Sequence, residues 1–429
     1  MNARRTTSSS VLVATLLAVT LAPPSAAQPR QPLFEPSFLL PVDRIWTTVL
    51  DSGPRHGPAY DSLRAYIALR NGTLAAVELQ TGEVVWTVEQ ELDHQPAAGD
   101  GVVVAVGGSR LVARRASDAL TLWSAEFDSA ISAPPLWNNG WLVAATAAGE
   151  IVVFRGFDGA ELWRRALGAT ATVRPAIGGG HLYVALTDGR IAALALGTGA
   201  AIWERALPGR PQGILPLDAL FVGSTDNLLY RLRLADGAVD WYWRTGGDIV
   251  GTPSADLEHV YFTARDNVLR ALDRRNGARR WRSILGGRPT AGPIRVDSVV
   301  VVAGVSPNVD LFDAKSGRPR GQYVTSSELA APPHVIPNAH PPSPNLILVT
   351  GTGEMVGLAA AAGPPQLTVG LFFGPLLPHP PEVGLADFLD WFPASPPDPP
   401  PPFPAVGTVP GLEDPVPPQA TSPFSVPAR

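Results

Sequence analysis

Short apolar runs alternate with turn residues in a unit that recurs along most of the chain. Two such runs flank a tight turn at Asn71-Gly72, Asp188-Gly189, Asp226-Asn227 and Asp266-Asn267. Asn-Gly and Asp-Gly favour a β-hairpin because these residues tolerate positive φ. Weaker copies stand at Gly108-Ser109, Gly149-Glu150, Pro307-Asn308 and Gly353-Glu354. The pattern therefore predicts eight hairpins.

Proline and tryptophan mark the two ends of each unit. Proline precedes most of the predicted hairpins, at Pro58, Pro96, Pro134, Pro175, Pro253 and Pro293. Proline is tolerated at strand starts and edges, so each unit reads as a short strand, a hairpin and a fourth strand carrying a tryptophan. Runs such as "LYVAL" and "IAALAL" are apolar on both faces, as in stacked sheets. Four strands in such a unit predict an all-β, eight-bladed β-propeller over residues 42–362, with seven blades as the alternative.

The tryptophans recur at steps of 37 to 40 residues, and most follow a turn glycine. We expect each indole to lie flat between neighbouring blades, where burial of a large ring stabilises the fold. The glycine allows both the turn and a close approach by the ring. The predicted blade-docking residues are Trp46, Trp86, Trp123, Trp163, Trp203, Trp241, Trp281, Gly82, Gly159, Gly199, Gly237 and Gly277.

Closure of the ring is predicted from an imbalance between the two ends of the repeat region. The eighth hairpin is followed by no tryptophan, whereas Trp46 precedes the first unit. We expect the strand around Trp46 to complete the last blade. The seventh unit places Gly321 where tryptophan is expected, and Tyr323 is the predicted substitute.

The repeat resembles the pyrroloquinoline-quinone-type propeller motif A-x-D-x-x-T-G-x-x-x-W. It reads Ala76-x-Glu78-x-x-Thr81-Gly82-x-x-x-Trp86 in the first unit. Within that family the chain is similar to the BamB propellers of the outer-membrane β-barrel assembly machine, although it has no lipid-anchor cysteine. The resemblance implies a non-catalytic periplasmic scaffold whose partners are cell-envelope proteins, including the β-barrel assembly machinery.

The same family contains quinone-dependent alcohol and sugar dehydrogenases. Some of these cover the cofactor with adjacent cysteines, and this chain has no cysteine. Their calcium-binding and base carboxylates have no recognisable counterpart here. We therefore expect no catalytic residue, no cofactor and no metal. A quinone-dependent, dehydrogenase-like enzyme and a ligand-sensing propeller that uses the central channel remain the alternatives.

Composition and the chain ends narrow the function classes further. The formal net charge of -5 argues against a nucleic-acid binder, and the lack of cysteine excludes disulfides and thiolate metal sites. Residues 1–27 combine a basic start, an apolar run and small residues, which predicts a cleaved signal peptide followed by a linker over residues 28–41. The expected product is a periplasmic or secreted monomer that is not lipidated and has no transmembrane span.

A proline-rich tail is predicted over residues 363–429. Proline interrupts helices and sheets, so we expect the tail to be largely disordered. Two apolar segments, "VGLFFGPLL" and "LADFLDWF", stand within it. The second would form a short one-sided helix, either as a docking motif for a partner or as a segment that folds back on the propeller.

The remaining candidates for chemistry favour structural roles. The histidines, His334 and His340 included, lack metal-ligand spacing. "IGGGH" at residues 177–181 is predicted as a turn, and "DRRNGARRWR" at 273–282 as a solvated turn and outer strand rather than a site for an acidic partner. The repeated acids Glu78, Asp158, Asp236 and Asp273 are interpreted as turn caps rather than catalytic groups.

Overall fold

The computed structural model describes residues 42–171, 173–296, 298–336 and 343–360. These residues form 32 β-strands arranged as eight four-stranded antiparallel sheets, the blades of a propeller. The predicted all-β, eight-bladed fold is confirmed. In this described portion of the chain, no helix is long and apolar enough to cross a membrane.

Seven blades take four consecutive strands from the chain, and the eighth combines strands from both ends of the described region. The first strand in the chain is β1 (Val42–Val49). Blades 1 to 4 comprise β2 (Ala59–Tyr60), β3 (Arg64–Ala68), β4 (Thr73–Glu78), β5 (Val84–Glu89); β6 (Ala97–Gly99), β7 (Val102–Gly107), β8 (Arg110–Arg115), β9 (Thr121–Glu126); β10 (Leu136–Asn138), β11 (Trp141–Ala145), β12 (Glu150–Arg155), β13 (Ala160–Ala166); and β14 (Ala176–Gly178), β15 (His181–Ala185), β16 (Arg190–Ala195), β17 (Ala201–Ala206).

Blades 5 to 8 follow the same order. They comprise β18 (Pro211–Pro216), β19 (Leu220–Ser224), β20 (Leu228–Leu232), β21 (Val239–Arg244); β22 (Ile249–Ala255), β23 (His259–Ala264), β24 (Val268–Asp273), β25 (Arg279–Ile284); β26 (Ile294–Val296), β27 (Val299–Ala303), β28 (Asn308–Asp313), β29 (Pro319–Val324); and β30 (His334–Val335), β31 (Leu346–Val349), β32 (Glu354–Ala360) with β1. The eight predicted hairpin turns all fall between the second and third strands of a blade, as expected.

The core lies between blades, on both faces of the second and third strands. In β15, Leu182, Tyr183 and Val184 are fully buried, although consecutive side chains point to opposite faces. In the fourth strands of most blades, exposed positions alternate with buried or partly buried ones, because successive side chains point to opposite faces of the strand. The nearly continuous apolar runs therefore correspond to strands covered on two sides, as the sequence indicated.

Strand β1 closes the ring by pairing antiparallel with β32, from Val42 opposite Ala360 to Val49 opposite Glu354. The predicted closure by the N-terminal strand is confirmed. The predicted signal peptide, linker and proline-rich tail lie outside the described residues, as do both apolar segments of the tail. The domain boundaries therefore remain predictions.

The fourth strands share a β-bulge that the sequence did not predict. In the β4–β5 pair, Ala76 lies opposite Trp86 and Val77 lies opposite Val84. Val85, next to Trp86, is therefore the extra residue of the bulge. The same irregularity recurs in the other blades, including the β1–β32 pair. A bulge increases the local twist and redirects the neighbouring side chain, here the tryptophan.

One proline also departs from the strand-start rule. Pro253 lies inside β22, whereas Pro58, Pro96, Pro175 and Pro293 each stand directly before a first strand. The register of β22 against β23 shifts between Val250 and Ser254, which leaves Pro253 outside the regular ladder. A bulge is one of the few places where a strand tolerates proline.

Candidate functional site

The seven predicted tryptophans all reach the following blade. Each indole Nε1 donates a hydrogen bond to a backbone carbonyl just beyond the third strand of the next blade, with N···O distances of 2.7 to 3.3 Å. The donor and acceptor pairs are Trp46 and Leu79, Trp86 and Ala116, Trp123 and Gly156, Trp163 and Leu196, Trp203 and Leu234, Trp241 and Arg274, and Trp281 and Ala314. We call each contact between neighbouring blades a seam.

The five predicted glycines lie directly under these rings. Their φ angles are positive, and a Cβ placed on any of them would lie 2.5 to 2.9 Å from an indole carbon of the preceding blade, closer than atoms pack. Gly82, for example, lies under Trp46, and Gly237 under Trp203. Gly317, which was not among the predicted residues, is placed in the same way under Trp281. Blade 2 has Ala119 at this position, with φ of 61°.

The seam between blades 7 and 8 has a different construction. In blade 6, Trp281 lies opposite Ala271 of the third strand. In blade 7 the equivalent position, opposite Leu311, is occupied by Gly321. Tyr323 is half-buried against a core cluster shared by β27, β28, β31 and β32. In blade 8 the third strand, β32, and the fourth strand, β1, are not consecutive in the chain, so no turn joins the two directly.

An open pocket of about 1050 Å³ lies at the turns of blades 5, 6 and 7. We call it the charged pocket. It is formed by turns that join first to second strands and third to fourth strands. Its lining includes Leu217, Asp256, Leu257, Arg274, Arg295 and Lys315. Leu257 stands in a turn between two acids, Asp256 and Glu258, and its apolar side chain is 89% exposed.

Ion pairs order the walls of the charged pocket. The Arg295 Nε lies 3.3 Å from an Asp256 carboxylate oxygen, and Arg274 pairs with Asp218. Burial alone would raise the pKa of Asp256, but the hydrogen bond from the Tyr261 hydroxyl and backbone amides brings it below its ordinary value. Asp256 therefore stays ionised at neutral pH and holds its neighbours in place. Such a surface, with an apolar tip among fixed charges, is suited to recognition of another molecule.

Three of the four repeated acids cap turns, as predicted. Asp158, Asp236 and Asp273 each accept hydrogen bonds from backbone amides two residues ahead. The turn-cap interpretation is wrong for Glu78, whose carboxylate lies 3.7 Å from the Arg64 guanidinium across the first hairpin. The "IGGGH" and "DRRNGARRWR" segments form the predicted turns, and the second continues into the outer strand β25.

The described histidines serve in contacts between or within blades. His56 and His94 donate ring N–H bonds to the carbonyls of Leu92 and Ile131 in the following blade, at 3.1 and 3.0 Å. His334 stacks on Tyr60 with the ring centroids 3.7 Å apart, and burial lowers its pKa to about 4. His340 and His379 lie outside the described residues. Within the described ranges, no group of three or more His, Cys, Asp or Glu could hold a metal ion.

Sequence reasoning missed the charged pocket because its residues come from three separate repeats. The one local signal was an apolar residue in a turn that otherwise calls for polar ones, as in "DLE" at residues 256–258. Leu217, in the corresponding turn of blade 5, carries the same signal and is 41% exposed. Comparison of turns across repeats would have found both.

Comparisons with known proteins place the chain among related propellers. A family model described as outer membrane protein assembly factor BamB matches residues 43–107, 70–214 and 209–336. A relative from Burkholderia pseudomallei, named outer membrane protein assembly factor BamB, is 31% identical over 27% of this chain. The match spans only 31% of that relative's length.

Solved structures support the fold. The crystal structure of BamB from Moraxella catarrhalis matches with a TM-score of 0.62 and 19% identity, over 74% of this chain and 99% of that one. A quinohemoprotein alcohol dehydrogenase from Comamonas testosteroni matches with a TM-score of 0.60 and 12% identity, over 75% of this chain and 77% of that one. At these identities the likeness concerns the fold alone.

Proposed function

Because the chain belongs to the family of the outer membrane protein assembly factor BamB, we propose that it is a non-catalytic scaffold that binds cell-envelope proteins during outer-membrane protein assembly. The family match carries this proposal. The same proposal places the protein in the periplasm, which osmotic-shock fractionation of the source cells would test.

The charged pocket is the proposed docking surface. Leu257 and Leu217 project from neighbouring turns, and exposed cations such as Arg280 and Lys315 stand beside them. Apolar anchors surrounded by a polar rim are typical of protein–protein interfaces. The tryptophan seams hold the blades together, so the turns are presented from a rigid frame. A partner segment would place an apolar side chain against Leu257 and carboxylates near the two cations.

Site-specific photocrosslinking tests the docking surface. A photoreactive amino acid replaces Leu257, and a control protein carries it at Ile284, which is 81% exposed at the far end of the outer strand of the same blade. We expect illumination of intact cells to crosslink position 257, but not position 284, to an identified component of the β-barrel assembly machinery. Mass spectrometry of the crosslinked band identifies the partner.

Three results would contradict parts of the proposal. Equal crosslinking at both positions would remove the charged pocket as the docking surface, and a lack of assembly components at both would remove the outer-membrane role. A bound chromophore or dye reduction after addition of pyrroloquinoline quinone and calcium would overturn the non-catalytic assignment.

A further inference from the structure

A second pocket, of about 320 Å³, lies where the innermost strands of five blades converge. We call it the channel pocket. Its walls come from the first strands, or the loops that lead into them, of blades 8, 1, 2, 3 and 4. The first strands of a propeller surround its axis, so this pocket belongs to the central channel. Its lining includes Tyr60, Pro96, Leu136, Arg174, Pro333 and His334.

Arg174 reaches into the channel pocket from the loop before β14 in blade 4. Its Nη2 donates a hydrogen bond of 3.2 Å to the carbonyl of Pro96, two blades away. Its Nε is buried and has no hydrogen-bond partner among the described residues. None of the described residues that line the pocket is an acid. The guanidinium of Arg174 therefore makes one hydrogen bond, to a neutral carbonyl, and no carboxylate of the described lining balances its charge.

This arrangement is costly for the protein alone. Arg174 is part-buried, and a cation that gives up contact with water without gaining an ionic partner lowers the stability of the protein. Burial lowers the pKa of Arg174 to about 10, so the side chain is still charged at neutral pH. The planar fork of a guanidinium matches a carboxylate with two parallel hydrogen bonds, which offset that cost.

The rest of the lining indicates the chemical nature of a ligand whose carboxylate would pair with Arg174. Apart from Arg174, eight of the thirteen lining residues are proline or alanine. The others are Gln95, Leu136, Trp137 and the stacked rings of Tyr60 and His334. The Tyr60 hydroxyl is buried and has no hydrogen-bond partner among the described residues. Burial raises the pKa of Tyr60 far above its ordinary value, so the hydroxyl keeps its proton and can donate. One positive charge balances one negative charge, and apolar walls favour an apolar body.

From this geometry we infer that the channel pocket binds a small monocarboxylate with an apolar body, whose carboxylate pairs with Arg174. The apolar part would lie against the prolines and the Tyr60–His334 stack. This site is separate from the charged pocket, and it does not depend on the proposed scaffold role.

Benzoate is the probe for this site, and isothermal titration calorimetry on the full chain is the measurement. We expect wild-type protein to bind benzoate, and to bind benzamide, which has the same shape without the charge, at least tenfold more weakly. Arg174→Met should weaken benzoate binding at least tenfold, and Arg174→Lys should weaken it less. Inorganic phosphate should bind more weakly than benzoate, since one cation does not balance two charges.

Arg165→Met is the matched control. Arg165 also has a buried Nε without a partner and one bond to a backbone carbonyl, that of Gly199 at 3.0 Å, but it lies on the outer strand β13. We expect this variant to bind benzoate like the wild type. Without ligand, Arg174→Met should unfold at a temperature no lower than the wild type, because it removes a part-buried cation that has no acidic partner among the described residues.

Three results would overturn the inference. Equal binding of benzoate and benzamide would show that the charge is not recognised. A wild type that does not bind benzoate, together with an Arg174→Met variant of lower unfolding temperature, would make Arg174 a structural residue. Binding of a peptide through its free C-terminal carboxylate, but not of benzoate, would replace the small molecule with a protein terminus. None of these results alters the crosslinks expected at position 257.

Discussion

Seven seams of the described ring contain an indole, whereas the seam between blades 7 and 8 contains none. In all seven, the indole bonds to a backbone carbonyl of the next blade, and in six it also lies on a turn glycine of that blade. In the eighth, Gly321 stands in the position of the tryptophan, and Tyr323 is half-buried nearby. This seam adjoins blade 8, which takes its fourth strand from the other end of the described region.

The glycine and the tryptophan of the repeated motif make their contact between two successive units, not within one unit. The glycine of a unit receives the tryptophan of the unit before it, and only the strand order of the ring brings them together. Blade 7, which precedes the blade that closes the ring, has glycine at the position of the tryptophan. We propose that the indole–glycine contacts set the spacing of the blades.

The largest expected effect is the loss of an indole from a seam. Trp203 is 8% exposed and bonds to Leu234, so Trp203→Ala should lower the free energy of unfolding by about 3–5 kcal/mol. Tyr323→Ala, in the seam without an indole, should cost about 1–2 kcal/mol because less apolar surface is buried. Urea unfolding followed by far-ultraviolet circular dichroism measures both.

Tyr242→Ala is the control for this pair. Tyr242 lies on an outer strand and is 54% exposed, so its loss should change stability by less than about 1 kcal/mol. If Tyr323→Ala proved as destabilising as Trp203→Ala, the two kinds of seam would be energetically equivalent and the comparison would fail.

A smaller effect is expected from a methyl group placed under an indole. In Gly237→Ala the new Cβ would lie 2.5 Å from a ring carbon of Trp203, at a φ of 66°. Backbone strain and overpacking together should cost about 2–4 kcal/mol in urea unfolding. Gly101→Ala is the matched control, because Gly101 has φ of 79° but nothing within 4 Å of its Cβ position. Equal losses in the two variants would show that the indole contact adds nothing.

The smallest expected effect is a gain in stability at the one receiving turn without glycine. Ala119 has φ of 61°, a conformation that costs a residue with a Cβ about 1–2 kcal/mol. Ala119→Gly removes this cost, but glycine also has more conformational freedom in the unfolded chain, which offsets part of the gain in stability. The net effect should be a rise of about 0.5–1 kcal/mol in the free energy of unfolding. Thermal unfolding measures the change.

Ala200→Gly provides the comparison for that gain. Ala200 follows the receiving glycine in blade 4 and is not among the residues with positive φ, so its replacement should destabilise the protein slightly. A loss of stability in Ala119→Gly would mean that the Ala119 methyl group makes a favourable contact in its seam.

The fold could be predicted from the sequence because its signals are local and repeated. Asn71-Gly72 and its equivalents specify hairpins, and the unmatched Trp46 specifies closure of the ring. The bulge beside Trp86 was not predicted, since it depends on pairing between two strands. Neither pocket could be predicted, because each joins residues from several blades. Arg174 and Pro96 are 78 residues apart, and no local pattern relates them.

The pairing of β1 with β32 sets an order of events during synthesis. Among the described strands, Val42–Val49 is synthesised first, and its partner, Glu354–Ala360, is made about 300 residues later. At about 5–20 residues per second, the first strand waits roughly 15 to 60 seconds for the edge that it must join. An unpaired strand is a template for aggregation, and charged residues such as Asp43 and Arg44 discourage that pairing. The last of the described strands to be made is thus the one with which the first must pair.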